Sequence, residues 1–327
     1  MGKNPTQSDV ARVAGVSRGL VSLALSGSPM VAEESRRRII AAAQELGYTR
    51  DMGAATLAAG RSQVLGVVLP DLRNPFFEGV VDAVQAHAAT LRLLPLVATS
   101  SDDREREALI LTRFRELRVA GVIMVSPVQP LTDLEVAATA QLTVLIGADV
   151  ASESLDTVHV DEDAAARLVA DHLVERGWRS VVSLSEHVGD GEVWIERRQE
   201  ALATAAGAAG LPFAGVEGRP GHGASAALRE YLPRLGERAA VVAHNDLVAI
   251  DALAVARDAG LRPGRDVAVI GFDDTYMAQR PEFDVTSVSQ DTGELARQAM
   301  EALLERDGRT GRHESVVQPS LTVRSSS

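Results

Sequence analysis

The stretch Thr6-Gln7-Ser8-Asp9-Val10-Ala11-Arg12-Val13-Ala14-Gly15-Val16-Ser17 constrains the chain more than any other. Thr6 and Asp9 have the spacing of a capping box, in which hydroxyl and carboxylate each take up a free amide at a helix N-terminus. A first helix therefore starts near Gln7. Gly15 tolerates the positive φ that a three-residue turn between crossed helices needs, and Ser17 is placed to cap a second helix running to about Ser26. On that helix Val21, Ala24 and Leu25 follow the i, i+3, i+4 rule and would pack against Val10, Ala11 and Ala14. Arg18, Gly19, Ser22, Leu23 and Ser26 are left on the opposite face, free to enter a groove of DNA. A third helix is expected over about Glu33 to Leu46, with Ile39, Ile40, Ala43 and Leu46 as its buried face and Gly47 as its stop. Ala32 stands where a capping hydroxyl is missing. Arg36, Arg37 and Arg38 could touch a DNA backbone or form a solvated face.

The charge distribution agrees with a head of this kind. The net charge of −12 over 327 residues is wrong for a DNA binder until it is divided. Residues 1–61 hold eight Lys and Arg against five Asp and Glu, net +3, and the remainder nets −15. Phosphate attraction is thereby confined to one end. The absence of cysteine excludes disulfides, thiolate metal sites and a cysteine nucleophile. No apolar run reaches the ~18 residues of a membrane span, and no signal peptide opens the chain, so a cytoplasmic protein without membrane contact is expected.

Beyond residue 61 apolar runs recur at Val64 to Leu69, Leu94 to Ala98, Val122 to Val125, Thr143 to Ile146, Ser180 to Leu184, Ala240 to Ala243 and Val267 to Ile270. Helical patterns follow most of them: Phe76 to Ala89, Arg104 to Leu117, Ala164 to Arg176, Glu192 to Ala209 and Asp246 to Ala259. That alternation predicts parallel sheets covered on both faces. Two such units dividing near Val160 and Asp161 give two doubly wound lobes with a ligand cleft at the strands' carboxyl ends. Polar and aromatic residues stand at those ends: Asp71, Asn74, Phe76 and Phe77 after the first strand, Asn245 and Asp246 after Ala243, and Asp273 and Asp274 after the Val267 strand. His244 is a further candidate contact or a structural histidine.

Features of an enzyme are missing. No two histidines have His-x-x-x-His spacing, and neither a Gly-x-Ser-x-Gly elbow nor a Walker loop occurs. Gly218-Arg-Pro-Gly-His-Gly223 lacks the strand-to-helix setting of a dinucleotide fingerprint and reads as a loop. Asp161-Glu-Asp163 opens a helix, where carboxylates stabilise the N-terminus more readily than they bind metal. No metal and no cofactor are expected.

Residues 49–61, Thr-Arg-Asp-Met-Gly-Ala-Ala-Thr-Leu-Ala-Ala-Gly-Arg, form an alanine-rich segment too short to be a stable helix by itself. The head, this linker and the following Val64-Leu-Gly-Val-Val-Leu-Pro-Asp-Leu-Arg-Asn-Pro-Phe-Phe77 together resemble the LacI/GalR family of bacterial transcription regulators, and the likeness extends over essentially the whole chain. It implies an all-α helix-turn-helix domain over 1–48, a hinge helix over 49–61 and a two-lobed effector-binding and dimerisation body over 62–327 with a periplasmic-binding-protein-like fold. Lobe 1 would comprise about 62–160 and about 290–320, and lobe 2 about 161–289 with the C-terminal strand.

The resemblance also places residues. The hinge would order on DNA, pair with its dimer mate and insert Leu57 into the minor groove, unstacking a base step. The implied DNA contacts are Thr6, Ser17, Arg18, Gly19, Leu20, Ser22, Leu23, Ala54 and Leu57. Of these, Arg18 can pair bidentately with guanine, while Leu20 or Leu23 can meet a thymine methyl. Arg50 and Asp51 replace the usual proline and asparagine, and a carboxylate near phosphates weakens the hinge contact. Arg197 aligns with the family's effector-binding arginine, but Glu200 stands where glycine is usual, leaving the choice between Arg197 and Arg198 open. The implied effector site is Asp71, Asn74, Phe76, Phe77, Arg197, Asn245 and Asp273. There, guanidinium and carboxylate would hold vicinal hydroxyls and a ring would cover the apolar face of a sugar.

The expected protein is a homodimeric repressor that binds a pseudo-palindromic double-stranded operator and answers to a small polar effector, a sugar or a related metabolite. A chain that stops a few residues past its last strand, Leu321 to Val323, without a heptad tail favours a dimer over a tetramer. The alternative is a cytoplasmic sugar-binding protein or sensor of the periplasmic type without strong DNA specificity.

Overall fold

The computed structural model of the chain describes residues 5–49, 62–150, 152–186, 193–219, 223–305 and 312–327. Two compact units form, Met1–Ser62 and Gln63–Ser327.

In the first unit, helices α1 (Gln7–Ala14), α2 (Arg18–Leu25) and α3 (Glu33–Leu46) enclose a small core. The capping box is formed: Asp9 N donates to Thr6 Oγ1 at 3.3 Å and Thr6 N donates to Asp9 Oδ2 at 3.0 Å. Gly15 has φ 66° and turns the chain into α2, where Ser17 Oγ accepts from Leu20 N at 3.2 Å. Val10, Ala11, Ala14, Val21, Ala24 and Ile39 are buried as the spacing predicted, with Leu25 half-buried beside them. Two expectations fail. Ile40 is 41% exposed and Ala42 is buried in its stead, because positions 39, 42, 43 and 46 form one stripe at i, i+3, i+4, i+7. Arg36 does not face outward: Nη1 donates to Ala24 O at 2.9 Å and Nη2 to Ser28 O at 2.5 Å, satisfying carbonyls at the end of α2. Arg37 and Arg38 are exposed.

The second unit contains two six-stranded sheets. The first holds β1 (Val64–Leu69), β2 (Leu94–Thr99), β3 (Val122–Val125), β4 (Thr143–Ile146), β5 (Asp156–Val160) and β11 (Glu314–Val317). Its helices are α4 (Pro75–Thr90), α5 (Arg104–Glu116), α6 (Leu131–Ala140) and α11 (Thr292–Glu305). The second holds β6 (Ser180–Ser185), β7 (Phe213–Glu217), β8 (Ala239–Ala243), β9 (Ala268–Phe272), β10 (Thr286–Ser289) and β12 (Ser320–Thr322). Its helices are α7 (Glu162–Glu175), α8 (Val193–Ala208), α9 (Gly223–Tyr231) and α10 (Asp246–Asp258).

Strand order is β2-β1-β3-β4-β5-β11 in one sheet and β7-β6-β8-β9-β10-β12 in the other. All pairings are parallel except β10 with β12. Each order reverses once, between β1 and β3 and between β6 and β8. Loops leave in opposite directions there and open a crevice at the carboxyl ends. Each sheet is covered on both faces, with α4 and α11 packing on one side of the first sheet and α5 and α6 on the other. In the second sheet α7 and α8 oppose α9 and α10. The chain passes between lobes after β5, after β10 and between β11 and β12, so α11 joins the first lobe and β12 the second.

Strands β5, β7, β10 and β11 and helices α6 and α9 escape a search for apolar runs. Asp-Thr-Val-His-Val, Thr-Ser-Val-Ser and Glu-Ser-Val-Val carry polar side chains into the sheets, where partners from distant segments receive them. Among the described residues no helix is long and apolar enough to cross a membrane.

Candidate functional site

The carboxyl ends of both sheets line one cleft of about 1060 Å³, its open mouth included. From the first lobe come Asn74, Phe76 and Phe77 at the start of α4, the turn Ser126–Gln129 after β3, Asp149 after β4, and His159 in β5. From the second come Glu162, Arg197, Arg198, His244, Asn245 and Asp273, with Gln290 at the crossing after β10. These are the strand ends flanking both topological switch points, where a doubly wound fold collects its ligand contacts.

Asn74 caps α4: its Oδ1 accepts from Phe76 N at 3.0 Å, while Nδ2 donates to Asp273 Oδ2 at 3.1 Å. Phe76 and Phe77 meet edge to face, centroids 5.6 Å apart, and offer the cleft an aromatic wall. Asn245 caps α10 in the same way, accepting from Val248 N at 2.9 Å. Asp273 is buried at the end of β9 with φ 105°, a conformation that costs a non-glycine residue roughly 1–3 kcal/mol and is held here by the surrounding bonds. Its N donates to Val288 O at 2.7 Å, and its Oδ1 accepts from Gln290 Nε2 at 2.6 Å. Burial, then the neighbouring Asp246 carboxylate, push Asp273 up to about 7. Asp246 is pushed up to about 6, mainly by burial, and accepts from Thr275 N, Thr275 Oγ1 and Ser287 Oγ. It braces the floor beneath Asp273 and does not line the cleft.

Both arginines of Arg197-Arg198 reach the cleft. Arg198 grips Glu162 with two parallel bonds, Nε to Oε2 at 3.0 Å and Nη2 to Oε1 at 2.8 Å. Its Nη1 donates to His244 O at 2.7 Å, and its guanidinium lies 3.4 Å over the Phe272 ring. Arg197 is more open. Its Nη2 donates to Asp163 Oδ2 at 2.7 Å and its Nε to Asp149 Oδ2 at 3.4 Å, the second bond crossing between lobes. The bond to Arg197 lowers Asp163 below the usual carboxylate range, and the bond to Asp163 raises Arg197. His244 is pushed down to about 3 by burial and by Arg198, so it is neutral.

Asn74, Phe76, Phe77, Arg197, Asn245 and Asp273 thus converge as the sequence suggested. Asp71 does not: its Oδ1 accepts from Arg73 N at 2.7 Å in the loop after β1, outside the lining. Asp161 caps α7, accepting from Ala164 N at 2.8 Å, but Glu162 and Asp163 do more than stabilise a helix end, since each holds an arginine. Asp149 and His159 were not foreseen. The signal available was a histidine inside an otherwise strand-like Asp-Thr-Val-His-Val.

Donor atoms of Asp149, His159 and Glu314 lie within 4.8 Å of one another. A cation there would compete with charges already in place. Arg197 pairs with Asp149 at 3.4 Å and Arg312 with Glu314 at 2.6 Å, while His159 Nε2 lies 3.1 Å from Glu314. The set is balanced without a metal.

On the head, Thr6, Ser17, Arg18, Gly19 and Leu23 are exposed and Ser22 is half-buried. Leu23 stands 46% exposed on α2. Leu20 instead packs against the head core. Ala54 and Leu57 lie outside the described residues.

Residues 6–51 match the family described as bacterial regulatory proteins, lacI family, and residues 170–327 match the periplasmic binding protein-like domain. An uncharacterized HTH-type transcriptional regulator in the aml 5′ region of Streptomyces limosus is 30% identical, the alignment covering 98% of this chain and 94% of that one. The structure of a transcriptional regulator CelR–cellobiose complex is 27% identical with a TM-score of 0.71, covering 99% of this chain and 100% of that one. The lac repressor dimer bound to operator and the anti-inducer ONPF shares the fold, with a TM-score of 0.84 at 23% identity and 99% of each chain covered.

Proposed function

Since the chain belongs to the LacI family of bacterial regulatory proteins and is a DNA-binding transcription regulator rather than an enzyme, we propose that it is a repressor controlled by a sugar. One observation carries the effector reading: a cleft lined from both lobes brings the aromatic wall of Phe76 and Phe77 together with guanidinium and carboxylate groups. Such a set matches a pyranose, with hydroxyls for the polar groups and an apolar face for the rings. The relative crystallised with cellobiose supports the same class.

The repressor acts in the cytoplasm as a homodimer. The edge strand β2 presents Leu94 and Leu96, 62% and 41% exposed, on an open edge of the first sheet. This apolar, open-edged surface suits a second copy. Two heads then bind a pseudo-palindromic operator through Arg18 and its neighbours on α2, and residues 49–61 fold on the DNA with Leu57 in the minor groove. Sugar binding favours one arrangement of the lobes, and DNA changes sugar affinity by the same factor that sugar changes DNA affinity.

The test begins with fragmented genomic DNA from the source organism. Fragments retained by the purified protein at about physiological salt are sequenced, and a sugar panel is then used to release them. A recurrent palindrome released by a sugar is the expected result. Sequence-independent retention overturns the operator reading, and retention that no sugar changes overturns the effector reading.

A further inference from the structure

Resting on the cleft as the effector site, we infer that this cleft takes an uncharged polyol and rejects anionic ligands, phosphorylated or carboxylated sugars included. Among the described lining residues the fixed cations are Arg197 and Arg198. An anion site of the usual kind leaves an arginine fork open toward the ligand. Here both guanidinia are already paired with carboxylates of the chain.

Arg198 is held in a bidentate pair with Glu162, the two side chains 11% and 9% exposed, and is stacked on Phe272. A phosphoryl group would have to strip that carboxylate away and leave it buried without its counter-charge, which is strongly unfavourable. Arg197 is flanked by Asp163 at 2.7 Å and Asp149 at 3.4 Å. Glu162 and Asp163 sit in the first turn of α7, so the positive end of that helix holds them in place as well. Two more helix starts border the cleft, those of α4 and α10, and each has one first-turn amide already taken by its capping asparagine. Asn74 occupies the Phe76 amide and Asn245 the Val248 amide. His244, neutral through burial, adds no positive charge. Against two guanidinia stand Asp149, Glu162, Asp163 and the Asp273 carboxyl. An approaching anion meets a surplus of acidic groups.

Hydroxyl groups face no such penalty. A hydroxyl donates to a carboxylate and accepts from a guanidinium, so it can join each paired set without displacing either member. The pairing therefore selects the charge of the ligand as well as its shape.

The test uses the full chain and inorganic sulfate as a probe independent of the effector's identity, with glucose 6-phosphate against glucose as a second pair. Calorimetric titrations are run on the wild type, on the Asp149→Asn/Asp163→Asn double variant and on Arg197→Gln, at constant ionic strength. Asp149 and Asp163 are 39% and 51% exposed, so the double variant should retain its fold, and circular dichroism checks this. The expected result is no saturable sulfate or glucose 6-phosphate binding to the wild type below about 1 mM, with sulfate binding at least about tenfold tighter in the double variant. Saturable binding of either anion to the wild type that Arg197→Gln removes overturns the inference. A folded double variant that gains no sulfate binding also overturns it, since the carboxylates would then not be what excludes anions. Failure of the effector reading shows separately, as operator binding that no neutral or charged sugar alters.

Discussion

Asn74 Nδ2 donates to Asp273 Oδ2 across 3.1 Å, linking the loop after β1 in one lobe to the end of β9 in the other. The Arg197–Asp149 pair makes a second connection between lobes inside the same cleft. A ligand whose hydroxyls join these groups touches both lobes at once, and that gives it different contacts in different arrangements of the lobes. Differential contact is what a ligand needs in order to shift an equilibrium.

Asp273→Ala is expected to abolish the effector response while operator binding persists. Loss of the buried carboxyl that bonds Asn74 and Gln290 should weaken effector binding at least about tenfold. Calorimetry of the effector and a DNA-binding titration are run side by side. An effector titration unchanged from wild type removes Asp273 from the site.

Leu57→Ala is expected to weaken operator binding by about tenfold or more and to leave effector affinity unchanged, because an alanine cannot wedge between base steps. Equal loss of both affinities, or of neither, contradicts the hinge assignment.

Protonation of Asp273 couples to folding with a defined sign. Its folded value near 7 lies above the ordinary 3.8, so the folded chain holds a proton that the unfolded chain has released between about 4 and about 7. Its contribution to stability falls as pH rises through that window and is level above it. Asp273→Asn removes one member of the coupled Asp273–Asp246 pair, so the wild type should lose stability relative to this variant as pH rises from about 4 to about 7 in denaturant unfolding. His244, pushed down to about 3, acts oppositely in both proteins, its contribution being lost as pH falls below the usual histidine range, and it cancels in the comparison. A difference independent of pH would show that Asp273 is ionised throughout.

Arg36→Ala should destabilise the head by about 1–3 kcal/mol, since it removes two charge-assisted bonds and leaves Ala24 O and Ser28 O only their backbone donors. Arg37→Ala and Arg38→Ala, on the exposed face, should stay within about 0.5 kcal/mol of wild type. Thermal unfolding of the head transition in the three variants decides this, and equal effects at all three positions would contradict the bonding assigned to Arg36.

Local rules made the head legible. The Thr6–Asp9 box, Gly15 and the Ser17 cap each act within four residues, and each is formed where the spacing placed it. Arg36 escaped because a run of three arginines has no local mark of which one turns inward. Its direction follows from the carbonyls that end α2, eight and twelve residues earlier. In the body, strands of continuous valine, leucine and isoleucine announced themselves. Strands such as Thr286–Ser289, whose Thr286 N donates to Ser326 Oγ and whose Ser287 Oγ donates to Asp246, depend on partners forty-odd residues away and read as loops.

The same division holds at the cleft. The alternation of strands and helices, hence the doubly wound lobes, is readable from residue order alone, as is the place of Asn74, Asn245 and Asp273 at strand ends where such folds bind ligands. Which charges meet depends on how the folded elements pack. Glu162 with Arg198, Asp163 and Asp149 with Arg197, and His159 with Glu314 lie 36, 34, 48 and 155 residues apart and are brought together by the packing of α7 on α8, by the approach of the two lobes at Asp149, and by the pairing of β11 with β5. A period of two or 3.6 residues records which face of an element is buried. It carries no information on which distant element supplies the counter-charge, and so the two arginines could be found in the sequence but not their neutralisation.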